Sequence, residues 1–174
     1  HFMTEEKFNV VILDVADFKL INGTYGTKKG NEVLVYLSNA FRYYVKNGLL
    51  TRYEGDQLLG LFHSNEKLDI DRINKNINKI AEEAPIPNIR IKVGVYENVD
   101  TTLSMPIICD RALMAEKSIS KDFKTNVAFY TDELNQKQLA QRQMEKDFKS
   151  AIANKEFKVY YQPKYDVQTE HIVG

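Results

Sequence analysis

The hydrophobic pattern of this chain changes period several times, and each change marks an element. Phe8-Asn9-Val10-Val11-Ile12-Leu13-Asp14 is apolar at consecutive positions, the mark of a strand covered on both faces, and it ends in a carboxylate. Ala16–Gly26 predicts a short turn of helix and then a glycine-punctuated loop. From Lys29 to Lys46, Val33, Leu34, Leu37, Ala40, Phe41, Tyr44 and Val45 fall at helical spacing, and Gly48 follows where a C′ glycine belongs. Leu49–Tyr53 and Leu58–Phe62 read as strands joined by Glu54-Gly55-Asp56-Gln57, a β-hairpin. Asp71–Glu83 repeats a helical stripe at Ile73, Ile77 and Ile80 and stops before Pro85 and Pro87. Ile89–Tyr96 alternates through Ile89, Ile91, Val93 and Val95, which predicts a strand with one covered face. Pro106–Lys121 predicts a helix entered through proline, Val127–Tyr130 a short strand, and Asp132–Asn154 a long polar helix with Asp132 as its N-cap. Phe157–Tyr161 and Tyr165–Val173 read as a last pair of strands around Gln162-Pro163.

Up to Tyr130 the order is β-α-α-β-β-α-β-α-β. It predicts an α/β (α+β) fold, a central mixed sheet flanked by helices with an antiparallel hairpin inside it. A chain of 174 residues is long enough for one domain with a real core. The natural boundary is the charged helix near Gln136–Lys149, and the remainder beyond it is too short to form a domain.

Composition narrows the class. Lys+Arg and Asp+Glu both number 24, so the net charge is zero and nothing in bulk draws the chain to nucleic acid. Cys109 is the single cysteine, which excludes an intramolecular disulfide and fits a reducing, cytoplasmic setting. No apolar run approaches the roughly 18–20 residues of a membrane span. The first residues carry no signal-peptide core. Any membrane or sensor segment of the parent protein is expected outside this chain.

Two carboxylates are placed for chemistry. Asp14 ends the first strand and Asp56 lies at the hairpin tip. A carboxylate at a strand end beside another on a hairpin is how a polymerase-like palm holds Mg²⁺ against a triphosphate. By spacing alone the plainer reading, aspartates as ordinary turn residues, stands ahead of this one.

Ordered motifs change the balance. Asp14-x-x-Asp17-Phe18-Lys19-x-x-Asn22-x-x-x-Gly26-x-x-x-Gly30 resembles the first motif of GGDEF domains, Asp-x-Asp-x-Phe-Lys-x-x-Asn-Asp-x-x-Gly-His-x-x-Gly-Asp. Cys109-Asp110-Arg111-Ala112-Leu113-Met114-Ala115-Glu116-Lys117 is similar to that family's helix, Ala-Asp-x-Ala-Leu-Tyr-x-Ala-Lys. The resemblance covers Lys7 to Tyr130. It implies a palm-like nucleotidyl-cyclase fold in which two GTP-loaded domains meet head to head and form cyclic di-GMP. Catalysis there is mostly positioning and charge stabilisation. By position it implies Asp14 and Asp56 as Mg²⁺ ligands and Phe18 and Lys19 in the phosphate-cradling turn. It also implies Asn22 as the guanine-reading amide, Lys117 as the helix lysine that reaches phosphates, and Lys121 as a nearby basic group. Each has a plainer reading: Asn22-Gly23 is a turn dipeptide, Phe18 suits a core, and the lysines sit near a helix C-terminus that favours cations.

Phe157-Lys158-Val159-Tyr160-Tyr161-Gln162-Pro163-Lys164-Tyr165-Asp166 through Ile172-Val173-Gly174 resembles the opening strands of an EAL phosphodiesterase domain. The chain stops before the position of a Glu-Ala-Leu motif. These resemblances divide the chain into a GGDEF domain at 1–131, a linker helix at 132–154 and the start of an EAL domain at 155–174.

The hairpin departs from the family pattern Gly-Gly-Asp/Glu-Glu-Phe. It reads Glu54-Gly55-Asp56-Gln57-Leu58. Glu54 puts a Cβ and a negative charge where glycine allows close approach. Gln57 removes one charge from the metal site. A unit charge roughly 4 Å away is a gross effect of about 4 kcal/mol at an effective dielectric of ~20. A third of that is tenfold in affinity. The motif's guanine-contacting acid falls at Asn31, and the product-inhibition motif Arg-x-x-Asp falls at Val45 and Gly48, where it is absent. These departures predict a catalytically impaired, GTP-binding or regulatory domain attached to an EAL phosphodiesterase. Two other readings stay open: a weakly active cyclase, and a structural dimerisation element with an empty cleft. A homodimer is compatible with each.

Overall fold

A computed structural model of the chain describes residues 7–45, 48–63, 67–120 and 125–172. Five strands form one mixed sheet. They are β1 (Phe8–Val15), β2 (Leu49–Arg52), β3 (Leu58–His63), β4 (Ile91–Tyr96) and β5 (Val127–Phe129), in spatial order β2-β3-β1-β4-β5. β1 pairs antiparallel with β3 and β4, β2 antiparallel with β3, and β4 parallel with β5. The helices are α1 (Phe18–Tyr25), α2 (Thr27–Arg42), α3 (Ile70–Glu82), α4 (Met105–Ser118) and α5 (Asp132–Ala153).

The central place of β1 explains its unbroken apolar run. Val11, Leu13 and Val15 enter a core with Val33, Leu34, Leu37 and Phe41 of α2 and Ile77 and Ile80 of α3. Val10 and Ile12 point the other way, into a smaller core with Tyr96, Ile108 and Ala112. Helices therefore cover both faces, the layering predicted from the element order. β4 departs from the expectation of one covered face. α4 lies on its second face, so Tyr96 is buried as well. The fit is close at Gly94, where a Cβ would fall 2.1 Å from the Ala112 carbonyl and 2.3 Å from the Glu116 nitrogen. Only glycine lets α4 come this near.

Local chemistry sets the ends. Asp69 caps α3 by accepting from the Asp71 and Arg72 amides at 2.9 and 3.0 Å. The Leu134 amide donates to Thr131 Oγ1 at 3.2 Å, so Thr131, and not the predicted Asp132, caps α5. Ala16–Gly26 holds a full two-turn helix, with Asn22-Gly23 inside it in place of a turn. Gly48 is no left-handed helix cap. α2 ends at Arg42, and a Cβ on Gly48 would lie 2.3 Å from the Leu61 carbonyl. Close packing against β3 is what selects glycine there.

The chain forms two compact units, His1–Asn135 and Gln136–Gly174. In the second, Phe148 and Phe157 meet edge to face with centroids 5.4 Å apart, and Tyr165 and Ile172 form an isolated bridge. The predicted strand Phe157–Tyr161 does not form. Its backbone has no ladder to join, and an isolated pair of strands is marginal in water. Among the described residues no helix is long and apolar enough to cross a membrane.

Candidate functional site

β1 and β4 pair in a register that sets Asp14 directly opposite Lys92. Lys92 Nζ lies 3.1 Å from Asp14 Oδ2, and it also bonds Glu116 Oε1 of α4. Lys92 and Gly94 are two residues apart on one face of the strand. The glycine that admits α4 thus brings Glu116 onto Lys92. Glu116 is 2% exposed, one of two buried polar residues among those described. Burial works to lower the Lys92 pKa, but the Glu116 and Asp14 carboxylates outweigh it and hold the lysine above its ordinary range. Burial raises Glu116, and Lys92 opposes that rise.

The hairpin reaches the same point. Leu13 pairs with Leu58, so Gln57 comes next to Asp14, and its amide donates to Asp14 Oδ1 over a long 3.4 Å. The tip closes on itself: the Gln57 amide donates to the Glu54 carbonyl at 2.8 Å and the Tyr53 amide to the Gln57 carbonyl at 2.9 Å. Gly55 takes φ +55°, and Arg52 Nε donates to its carbonyl at 2.7 Å. Glu54 is exposed. Burial pushes the Asp56 carboxyl above its ordinary value, and the Asp14 charge adds to the effect. Its own backbone amide, Lys92 and Arg52 pull the other way.

A cavity of about 720 Å³ opens beside Asp14. Its walls include Leu20 and Tyr25 of α1, Asn88 and Arg90 before β4, and Lys92 and Lys117. Arg90 braces this rim by donating to the Ser120 and Thr125 carbonyls and to Asn126 Oδ1. α1 is entered through Asp17 in the left-handed region, φ 55° and ψ 33°. That conformation costs about 1 kcal/mol and an aspartate tolerates it better than most residues.

The structure brings Asp14, Asp56, Gln57 and Lys117 to one end of the sheet, with Lys92 and Glu116 among them. The other candidates have different surroundings. Phe18 is half-buried on the main core, and Lys19 is exposed on α1. Asn22 packs on Gly30, where a Cβ would fall 2.0 Å from its Oδ1, and that oxygen is buried without a hydrogen-bond partner. Asn31 is exposed on α2, beside a shallow groove shared with Lys28 and Tyr36. Lys121 lies outside the described residues.

Lys92 and Glu116 escaped the sequence reading. Alternation along Ile89–Tyr96 puts Lys92 on the face opposite the apolar one. Glu116 stands where the family helix motif has alanine, a charge on a helix face that touches the sheet, and that was the available signal.

The donor set does not fit the divalent ion that the resemblance implies. Mg²⁺ takes oxygen ligands, yet Asp14 already accepts from an ammonium and an amide. Like unit charges roughly 4 Å apart repel by about 4 kcal/mol at an effective dielectric of ~20, and a divalent ion doubles that figure. Among the described residues no three His, Cys, Asp or Glu side chains converge as a metal site.

A mixed five-stranded sheet between two helical layers, with an acidic strand end facing a hairpin tip, defines a nucleotidyl-cyclase-like domain. The family model described as the diguanylate cyclase GGDEF domain matches residues 1–121, and the chain belongs to that family. Among solved structures, an EAL/GGDEF domain protein from M. capsulatus aligns with a TM-score of 0.60, 21% identity, and coverage of 75% of this chain and 89% of that one. The active GGEEF domain of a diguanylate cyclase from Vibrio cholerae aligns with a TM-score of 0.56 and 21% identity, over 72% and 84% of the two chains. In sequence, the bifunctional diguanylate cyclase/cyclic di-GMP phosphodiesterase MucR of Pseudomonas aeruginosa is 21% identical over 98% of this chain. The chain spans 26% of MucR, about a quarter of the length of the curated relatives it matches.

Proposed function

We propose that this GGDEF domain serves cyclic di-GMP signalling as a nucleotide-binding regulatory module that does not cyclise GTP, attached to an EAL phosphodiesterase domain that begins near residue 155. One observation carries the reading. Gln57, at the place of the second hairpin acid, spends its amide on Asp14. A group that donates to a carboxylate adds no charge for stabilising a phosphoryl-transfer transition state. Asp14 and Lys117 line a cavity of about 720 Å³, and with the retained Asp56 and Asn22 they favour a pocket that is used over one that is empty. The match to MucR runs over 98% of the chain, so it includes the linker helix and most of the tail.

Titration calorimetry with GTP, paired with chromatography for cyclic di-GMP in Mg²⁺ and in Mn²⁺, tests this. Saturable heat without product is the expected result. Product that accumulates over many turnovers and disappears in Asp56→Ala overturns it in favour of a cyclase. No heat from folded protein overturns it in favour of a structural element.

A further inference from the structure

The geometry points to Lys92 as the resident cation of this cleft: its ammonium takes the divalent ion's place on Asp14, so the domain excludes metal there and binds its nucleotide without one. The second half rests on the nucleotide-binding reading above; the first does not.

Three features of the chain hold the ammonium in place. Strand register sets Lys92 opposite Asp14, at 3.1 Å. The absence of a Cβ at Gly94 lets α4 sit against the sheet. Glu116, itself only 2% exposed, then gives Lys92 a second carboxylate partner. Glu116 stands where the family motif carries alanine. Its position is accounted for by Lys92, because a buried carboxylate needs a paired charge. Lys92 and Glu116 therefore work as one unit, a cation and the anchor that keeps it on Asp14. Gln57 completes the ring of donors around that carboxylate. An ion arriving at Asp14 would have to displace the ammonium and leave Glu116 buried beside an empty socket. Lys92 also lines the cavity, as does Lys117, so both cations are within reach of a phosphate-bearing ligand.

The test uses Mn²⁺ alone, read by electron paramagnetic resonance. The wild-type chain is expected to show no saturable Mn²⁺ site that Asp14→Ala removes. Lys92→Ser with Glu116→Ala, which deletes the cation and its anchor together and leaves no unpaired buried charge, is expected to gain one site at least tenfold tighter than any in wild type. Adding Asp14→Ala should abolish it. An Asp14-dependent Mn²⁺ site in wild type overturns the inference, and so does a folded double variant that gains none. Should the double variant fail to fold, the comparison of wild type with Asp14→Ala decides alone. In a second arm, GTP affinity of wild type is expected to stay within twofold when EDTA replaces Mg²⁺, and a tenfold fall overturns metal independence. Absence of GTP binding in both buffers overturns the nucleotide reading and leaves metal exclusion to the Mn²⁺ arm.

Discussion

At the hairpin tip, burial holds the Asp56 carboxyl above its ordinary value, so the folded state favours the protonated acid. The stabilisation this gives is present below pH 3.8, the ordinary value, and is lost as pH rises through the folded one. Asp56→Asn removes a group that is costly when charged. The variant is therefore expected to melt higher than wild type at pH 7, and the two should converge below pH 3.8. Solvent at this half-exposed position keeps the gain to about 0.5 kcal/mol, roughly 2 °C for a domain of this size. Thermal unfolding by circular dichroism across pH checks both sign and window. Asp56 and Asp14 were legible because a strand end and a hairpin tip are local features, each read from a few neighbours. Lys92 and Glu116 were not. They are 24 positions apart, and their meeting depends on which sheet face α4 covers, a matter periodicity within one strand does not settle. Asn31 shows the converse: its motif position was legible, but the groove it lies beside on α2 is separate from the cavity at Asp14.

Elements followed the hydrophobic pattern wherever a face was buried. β1, the hairpin, α3 and β5 lie where alternation and helical stripes put them, within a residue or two. The pattern failed at a strand with no neighbour to pair with, whereas the polar helix α5, with no buried side chain, lies where it was predicted. Phe157–Tyr161 has a strand's composition and no sheet to join, and Tyr160 and Tyr161 stand 86% and 91% exposed. At α1 the failure ran the other way. Tertiary packing of Phe18 and Ile21 on the main core holds Asn22-Gly23 in a helix against its turn preference. The connection after α2 yields a further prediction. Val45 is buried and Gly48 abuts Leu61, so the two positions of the product-inhibition motif are committed to packing. Gly48→Asp is expected to destabilise the domain by about 2 kcal/mol, since its Cβ meets backbone. Denaturant melts would show a lower midpoint with an unchanged slope. Cyclic di-GMP is accordingly expected to bind no more tightly to Val45→Arg than to wild type, as calorimetry would show.

At the scale of the whole molecule, the most exposed large hydrophobic side chains among the described residues lie in the second unit. Val159, Tyr160, Tyr161 and Val167 are each more than three-quarters exposed. A segment of strand-like composition with unpaired backbone groups pairs readily with another strand. The full chain is expected to self-associate as concentration rises, and a chain ending at Asn135 to stay monomeric, by light scattering. Equal masses at every concentration would exclude association through this segment. In the first unit, the missing Cβ of Gly94 fixes the thickness of the sandwich at one point. Gly94→Ala should cost about 2–3 kcal/mol, roughly 10 °C in Tm, by prying α4 from the sheet. The same displacement would carry Glu116 away from Lys92 and loosen the ammonium's hold on Asp14. Layer spacing thus acts as a gauge for the cleft: a backbone dimension set by one absent methyl group decides how much positive charge a ligand meets there.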